Sequence, residues 1–292
     1  MNPLHIPKQS PLYHSLHKDR YARQQRIREI EQATGRTLII YVANASHPGG
    51  FINRDDILPF GDLLTDKKAV DLDLMLQSPG GDIDKAEKIV YMCRKRALSF
   101  RVIVPESAKS AATLIALAAD SIVMGYTSEL GPIDPQIIVT TPDGKTISRP
   151  AQSFLDGLEE IKRQVQTEGR LSPVYYPLLQ QLDPALIDFC HKAIARSKSF
   201  AEKWLKQYMW AGDDQKAKQI ASELANVKKY LSHGAVIDAE EASRLGLNVQ
   251  YLEPEDNLWK ALWQLYCDYD LELRTKRLVK IFESAEVSIA LS

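Results

Sequence analysis

Cysteine is scarce in this chain, and its spacing excludes two kinds of protein. Cys93, Cys190 and Cys267 are far apart and odd in number, so they form neither a disulfide framework nor a paired metal-ligand spacing. Two of them fall in apolar helical contexts, where a free thiol behaves as a small hydrophobe. A reducing compartment is the simplest account. Long apolar runs are also absent. No stretch reaches the ~18 consecutive apolar residues of a membrane span, and Met1 to Tyr21 has no apolar region of the secretory kind. The expectation is a soluble, cytoplasmic protein with no integral membrane segment. Charge of one sign is lacking too: 37 Lys and Arg face 38 Asp and Glu, a formal net charge of -1. That argues against a nucleic-acid partner, which needs a basic domain. The short basic stretch His14, His17, Lys18, Arg20, Arg23, Arg26 and Arg28 is interrupted and reads as a solvated helix face. There is no P-loop and no glycine-rich dinucleotide fingerprint. No cofactor and no metal are expected, and any ATP dependence would come from a partner.

What the chain does have is length and alternation. Its 292 residues, 45% hydrophobic, can bury a substantial core. Residues 1–15 hold three prolines and no periodicity, and read as an extended arm. Lys18–Thr34 reads as a helix closed by Gly35. Thr37–Ala43 is a buried strand, Asp55–Thr65 a helix, and Val70–Gln77 a strand. A helix capped by Asp82 or Asp84 then runs to about Ala97. Phe100–Val104, Ala111–Ala119 and Ser121–Met124 read as strand, apolar buried helix and strand. Repeated strand–helix–strand order implies crossovers and a mostly parallel sheet. Gln136–Thr141 and Lys145–Ser148 flank a hairpin turn at Pro142-Asp143-Gly144. Helices follow at Phe154–Glu168, Pro173–Leu182, Pro184 to about Trp210 and Gln215–Tyr230. A short helix at Ala239–Leu245 and a strand at Asn248–Leu252 come next. The tail from Leu258 to Ile281 is amphipathic, with Leu258, Leu262, Leu265 and Tyr269 on one face.

The chemistry is expected between Leu72 and Pro135. Ser110 stands just before a buried helix, whose N-terminus offers free N–H groups and a positive dipole end. The Ala111 N–H can face an oxyanion formed on a carbonyl attacked by Ser110 Oγ. Gly80 and Gly81 follow a parallel strand at its C-terminal end, where open α/β sheets place ligands. Glycine there lets a second N–H approach closely. Singly, each signal is weak: Ser78-Pro79-Gly80-Gly81 could be a turn, and a serine before a helix is often an N-cap.

Taken together, these segments resemble the Clp-fold serine peptidases. The residues Lys109-Ser110-Ala111-Ala112-Thr113, Ala118-Ala119-Asp120, Met124-Gly125 and Ser128 through Gln136 are similar to the serine dehydrogenase proteinases, relatives of the signal-peptide-peptidase A group. The likeness covers about Thr37 to Asp134 and resumes at Val236 through Leu247. It implies an α/β fold, a ClpP/crotonase-like spiral of ββα units with a mostly parallel sheet and helical extensions at both termini. The corresponding division is an arm and helix at 1–36, a peptidase core at 37–252 with a helical insertion at about 150–232, and a helical tail at 253–292. It also implies a serine endopeptidase acting on peptides or proteins as a homo-oligomer. Ser110 would be the nucleophile, with Gly80, Gly81 and Ala111 forming the oxyanion site. No serine dehydrogenase activity is expected.

The activating base is the open point. Clp peptidases of the ATP-dependent kind carry a His about two dozen residues after the Ser, and Ser128 to Gln136 contains none. The signal-peptide-peptidase relatives use a Lys several tens of residues later, and Lys162 stands at that distance. Leu158, Ile161 and Val165 beside it offer the partial burial that a basic, neutral Lys needs. Lys109, Lys145, His233 and a neighbouring subunit are the rivals. His191 reads as structural, His233 as an exposed cap, and Asp134 as a group that orients a base, binds a substrate amine or serves turn chemistry. Two other classes share the fold: crotonase-type acyl-CoA enzymes, against which Ser110 argues, and inactive assembly modules.

Overall fold

The apolar runs form the sheet that the sequence predicts. A computed structural model describes residues 10–292 apart from 141–143, 171, 177, 178 and 180–182. The strands are β1 (Thr37–Ala43), β2 (Val70–Gln77), β3 (Ala97–Val104), the short β4 (Ser107–Ala108), β5 (Ser121–Met124), the short β6 (Glu129–Leu130), β7 (Gln136–Thr140), β8 (Thr146–Pro150), β9 (Val249–Tyr251), β10 (Lys280–Glu283) and β11 (Ser288–Leu291). Among the described residues the main sheet has the order β11-β10-β1-β2-β3-β5-β9. From β1 to β9 all pairings are parallel, with Ile39 opposite Leu74, Leu74 opposite Val102 and Val102 opposite Ile122.

The period of two along each strand divides the core into two layers. Ile39, Tyr41, Leu72, Leu74 and Val102 face one side, with the helices Ile83–Arg96 and Ala111–Leu117. Leu38, Ile40, Val42, Met75 and Ile103 face the other, against Trp259, Leu262, Leu265 and Tyr269 of the helix Asn257–Lys276. Both faces are covered, so the strands are apolar throughout. A third cluster joins Ile137 of β7 to Ala151 and Leu155 of the helix Ala151–Glu168 and to Cys190 of the helix Pro184–Gln207.

Three expectations change. Part of the extended arm is a helix, Pro11–Leu16, because Ser10 accepts from the Tyr13 N–H and Pro11 fills the first position; residues 1–9 lie outside the described part. The basic stretch is not wholly solvated. Arg23 is buried in the helix Lys18–Thr34, with Nε 2.8 Å from Glu283 Oε2 and a second partner in Glu272. The tail is helical only to Lys276, after which β10 pairs antiparallel with β1 and β11 with β10. Those strands carry Lys280 and Glu283, which are buried against partners of opposite charge.

Smaller shifts have local causes. The helix expected over Asp55–Thr65 begins as a 3-10 turn at Arg54–Asp56, capped by Asn53, and continues as Ile57–Leu64. Asp82, not Asp84, caps the helix that follows β2, accepting from Asp84 N and Lys85 N. Of the helix expected over Pro173–Leu182, the structure describes a 3-10 turn at Pro173–Tyr175; Leu178 and Gln180–Leu182 lie outside the described residues. The helix expected to reach Tyr230 ends at Leu224. The hairpin strands form as β7 and β8, while Pro142 and Asp143 of the expected turn lie outside the described residues.

Candidate active site

Two segments more than two dozen residues apart in sequence meet at the C-terminal ends of β2 and β3. The chain leaves β2 through Ser78, whose N–H donates to Ser107 O (3.1 Å) and whose carbonyl accepts from Lys109 N (3.0 Å). Gly80 then takes φ +96°, the left-handed side that glycine alone adopts freely. A Cβ on Gly80 would stand 2.6 Å from Lys109 O and 2.7 Å from Ser110 Cβ. Gly80 is therefore packed directly on the serine loop, and no larger residue fits.

Ser110 has φ +53° and ψ -118°, a conformation that costs a non-glycine residue about 1–3 kcal/mol and survives only where neighbours enforce it. The enforcement is visible: Ala112 N donates to Lys109 O (2.9 Å) and Leu114 N to Ser110 O (3.2 Å). The Ser110 side chain makes no capping bond to its helix, so the bland N-cap role is not taken up. The residue is partly exposed. Its position, on a strained turn between a strand and a helix, is like that of a nucleophile elbow.

Two N–H groups near this turn have no bond to an acceptor in their own element. Ala111 occupies the first helical position, which has no intrahelical acceptor. Gly81, at φ +144°, is exposed. Its flanking bonds run from Ile52 N to Gly80 O (2.7 Å) and from Asp82 N to Ile52 O (2.9 Å), leaving the Gly81 N–H outside both.

The candidate bases differ sharply in setting. Lys109 is a strut: Nζ donates to Leu130 O (3.0 Å) and Ala235 O (3.1 Å) and pairs with Glu129 (2.9 Å). Lys145 is exposed beside β8. Lys162 lies on the helix Ala151–Glu168, 65% exposed and 2.6 Å from Glu159. The partial burial expected for it is not met, because Leu155, Leu158, Ile161 and Val165 line an open groove of about 1020 Å³ while the amine reaches its own carboxylate partner. His191 is exposed on the helix Pro184–Gln207 and lines the same groove.

His233 is not a free cap. Its Nδ1 lies 2.8 Å from Oδ1 of Asp134, which is buried. The other carboxylate oxygen accepts from Gln136 Nε2 (2.7 Å), so Asp134 is fixed at both ends and is more than a turn residue. Where the carboxylate accepts from Nδ1–H, a neutral imidazole keeps its lone pair on Nε2. The pair hangs from the two segments that Lys109 ties beside Ser110. One runs from Leu130 to Asp134, with Gly131 packed on Lys109 Cδ and bonded to Thr113 Oγ1. The other leads to Ala235, and an antiparallel bridge between Leu130 and Ile237 joins them. The two residues are 99 apart in sequence. The only local signal is a histidine before a glycine, which carries little information.

A serine on an enforced turn above a parallel sheet, with backbone N–H groups and a carboxylate–imidazole pair on adjoining segments, can support covalent acyl transfer in the manner of the α/β serine hydrolases. Among the described residues, no cluster of His, Cys, Asp and Glu could hold a metal ion, and no helix is long and apolar enough to cross a membrane. The chain belongs to the ClpP-like SDH-type serine proteinases, whose family model matches residues 62–282. It is 32% identical to an uncharacterised protein of Methanocaldococcus jannaschii over 63% of this chain and 55% of that one. A second uncharacterised protein of the same organism is 30% identical over 61% of this chain and 51% of its own length. The chain thus spans about half the length of these relatives. Among solved structures, ClpP1 from Listeria monocytogenes superposes with a TM-score of 0.41 at 12% identity, covering 83% of this chain and 99% of that one.

Proposed function

We propose that the protein is a serine endopeptidase in which Ser110, His233 and Asp134 act together. Ser110 Oγ attacks the peptide carbonyl while His233 Nε2 takes its proton. Asp134 holds the Nδ1–H and stabilises the imidazolium. The oxyanion is met by the N–H groups of Gly81 and Ala111, with Gly80 shaping the turn. The imidazolium returns the proton to the leaving amine, which departs and leaves an acyl-Ser110. Water, deprotonated by His233, then releases the acid and restores the serine. Side chains, backbone and water suffice for these steps. The observation that carries the reading is the enforced Ser110 turn, with Gly80 against its Cβ and its side chain uncommitted to the helix. The substrate class is peptide or protein. Assembly as a homo-oligomer and a cytoplasmic setting complete the proposal, the former supported by the apolar groove along the helix Ala151–Glu168.

A second reading keeps Lys162 as the base, supported by that same groove: a copy covering it would strip water from the Lys162 amine. Fluorophosphonate labelling separates the two. Ser110→Ala should abolish labelling, which a crotonase-type enzyme would never have shown. His233→Ala should slow it by about 10²–10⁴-fold, the usual worth of a general base, and Lys162→Met should leave it unchanged. The reverse pattern would transfer the role to Lys162, and labelling that survives Ser110→Ala would end the peptidase proposal.

A further inference from the structure

Lys280 is 1% exposed, and the acyl transfer described above gives it no part. Its Nζ donates to Asp56 Oδ1 (2.6 Å) and to Phe51 O (2.7 Å). Asp56 is fully buried, and its other oxygen accepts from Asn53 N (2.9 Å) and from Tyr41 OH (3.0 Å). Burial and the Asp56 charge push the Tyr41 hydroxyl well above its ordinary pKa, so it stays a neutral donor. A buried ion pair is weak evidence for stability, since apolar side chains of similar size often do as well. What this pair grips is therefore informative.

It grips main chain on both sides of Ile52: the Phe51 carbonyl through Lys280 and the Asn53 N–H through Asp56. Ile52 in turn brackets Gly81, donating to Gly80 O and accepting from Asp82 N. The contact has no slack, because a Cβ on Gly81 would stand 2.4 Å from both the N and the O of Ile52. Gly80 then abuts Ser110. A rigid path runs from the buried pair, through three residues of main chain, to one proposed oxyanion donor.

We infer that Lys280 and Asp56 are positioning residues that set the Gly81 N–H against the oxyanion through the segment Phe51–Asn53. The inference rests on the peptidase reading. Neither side chain touches the reacting atoms; both hold the main chain around Ile52, which in turn holds the Gly80–Gly81 peptide unit.

The test uses the full chain and two probes, p-nitrophenyl acetate and its thiono analogue, with the Ser110→Ala rate subtracted from each. An oxyanion site built of N–H donors prefers oxygen to sulfur, so the ratio of the two rates reports donor placement rather than foldedness. Lys280→Met leaves Asp56 buried alone and can unfold the protein, so the principal variant is the charge-balanced Lys280→Met/Asp56→Asn. It should melt cooperatively and lose about tenfold in the oxo-ester rate, less than the ~10²-fold of a 1 Å misplacement, while the thiono rate changes little. Tyr41→Phe removes one donor to Asp56, keeps the charge pair, and should lower the ratio only about two- to threefold, because Lys280 Nζ and Asn53 N still hold the carboxylate. A double variant that melts cooperatively with the wild-type ratio would overturn the inference, as would an unchanged ratio in Tyr41→Phe where the double variant does not fold. If the wild type itself shows no Ser110-dependent acylation, the peptidase reading fails first and the inference falls with it.

Discussion

Replacing Gly80 by alanine tests the fold and the site at one position. Two costs arise, and the structure separates them. The first is conformational: at φ +96° an alanine pays about 1–2 kcal/mol. The second is steric. The new methyl would lie 2.6 Å from Lys109 O and 3.0 Å from Ala111 N, both main-chain atoms. Reaching ordinary contact at 3.4 Å requires a shift of about 0.8 Å, and overpacking of this kind costs about 1–3 kcal/mol. Together they predict a loss of about 2–5 kcal/mol, a large part of the ~5–15 kcal/mol that a domain possesses. Gly35→Ala is the control. Gly35 has φ +67°, and a methyl added there would meet nothing within 4 Å, so only the conformational ~1–2 kcal/mol applies. Urea unfolding of the two variants measures the difference. The displaced Ser110 should also react with a fluorophosphonate tens of times more slowly, approaching the ~10²-fold of a 1 Å error. If Gly80→Ala costs no more than Gly35→Ala and labels at the wild-type rate, the close approach of the two segments is refuted.

Three further outcomes follow from the core and the ion pairs. Asp73 is buried between Arg36 (2.5 Å) and Arg101 (2.6 Å), so Asp73→Ala should cost about 3–5 kcal/mol in a denaturant melt by taking the carboxylate from Arg101 and leaving Arg36 the more distant Asp71 at 3.7 Å. Leu262 is fully buried in the layer beneath the helix Asn257–Lys276, and Leu262→Ala should cost about 2–5 kcal/mol by the same measurement. Glu87 titrates below its ordinary 4.5: desolvation opposes the shift, but hydrogen bonds from Lys203 and Arg196 outweigh it. A carboxylate depressed on folding stabilises above its unfolded pKa and loses that contribution as pH falls through the folded value. The stability gap between wild type and Glu87→Gln should therefore be full at neutral pH and close progressively below 4.5; a gap that widens on acidification would contradict the assignment.

The sequence alone determined the parallel centre of the sheet. Thr37–Ala43, Val70–Gln77 and Ser121–Met124 form strands with the expected bounds, because apolar runs between turn residues are local signals that packing on two faces reinforces. It also singled out Gly80, Gly81 and Ser110, since glycine at a strand end and serine at a helix start are constraints written within a few residues. Other features depended on partners that a local reading cannot supply. Lys280 and Glu283 could be taken into strands only because Asp56 and Arg23, more than two hundred residues earlier, neutralise them. His233 meets Asp134 only because Leu130 bridges Ile237, whereas Lys162, apolar in its sequence neighbourhood, turns to Glu159 and water. Burial of a charge and the orientation of an imidazole are sums over long-range contacts, and those exist only once the chain has closed on itself.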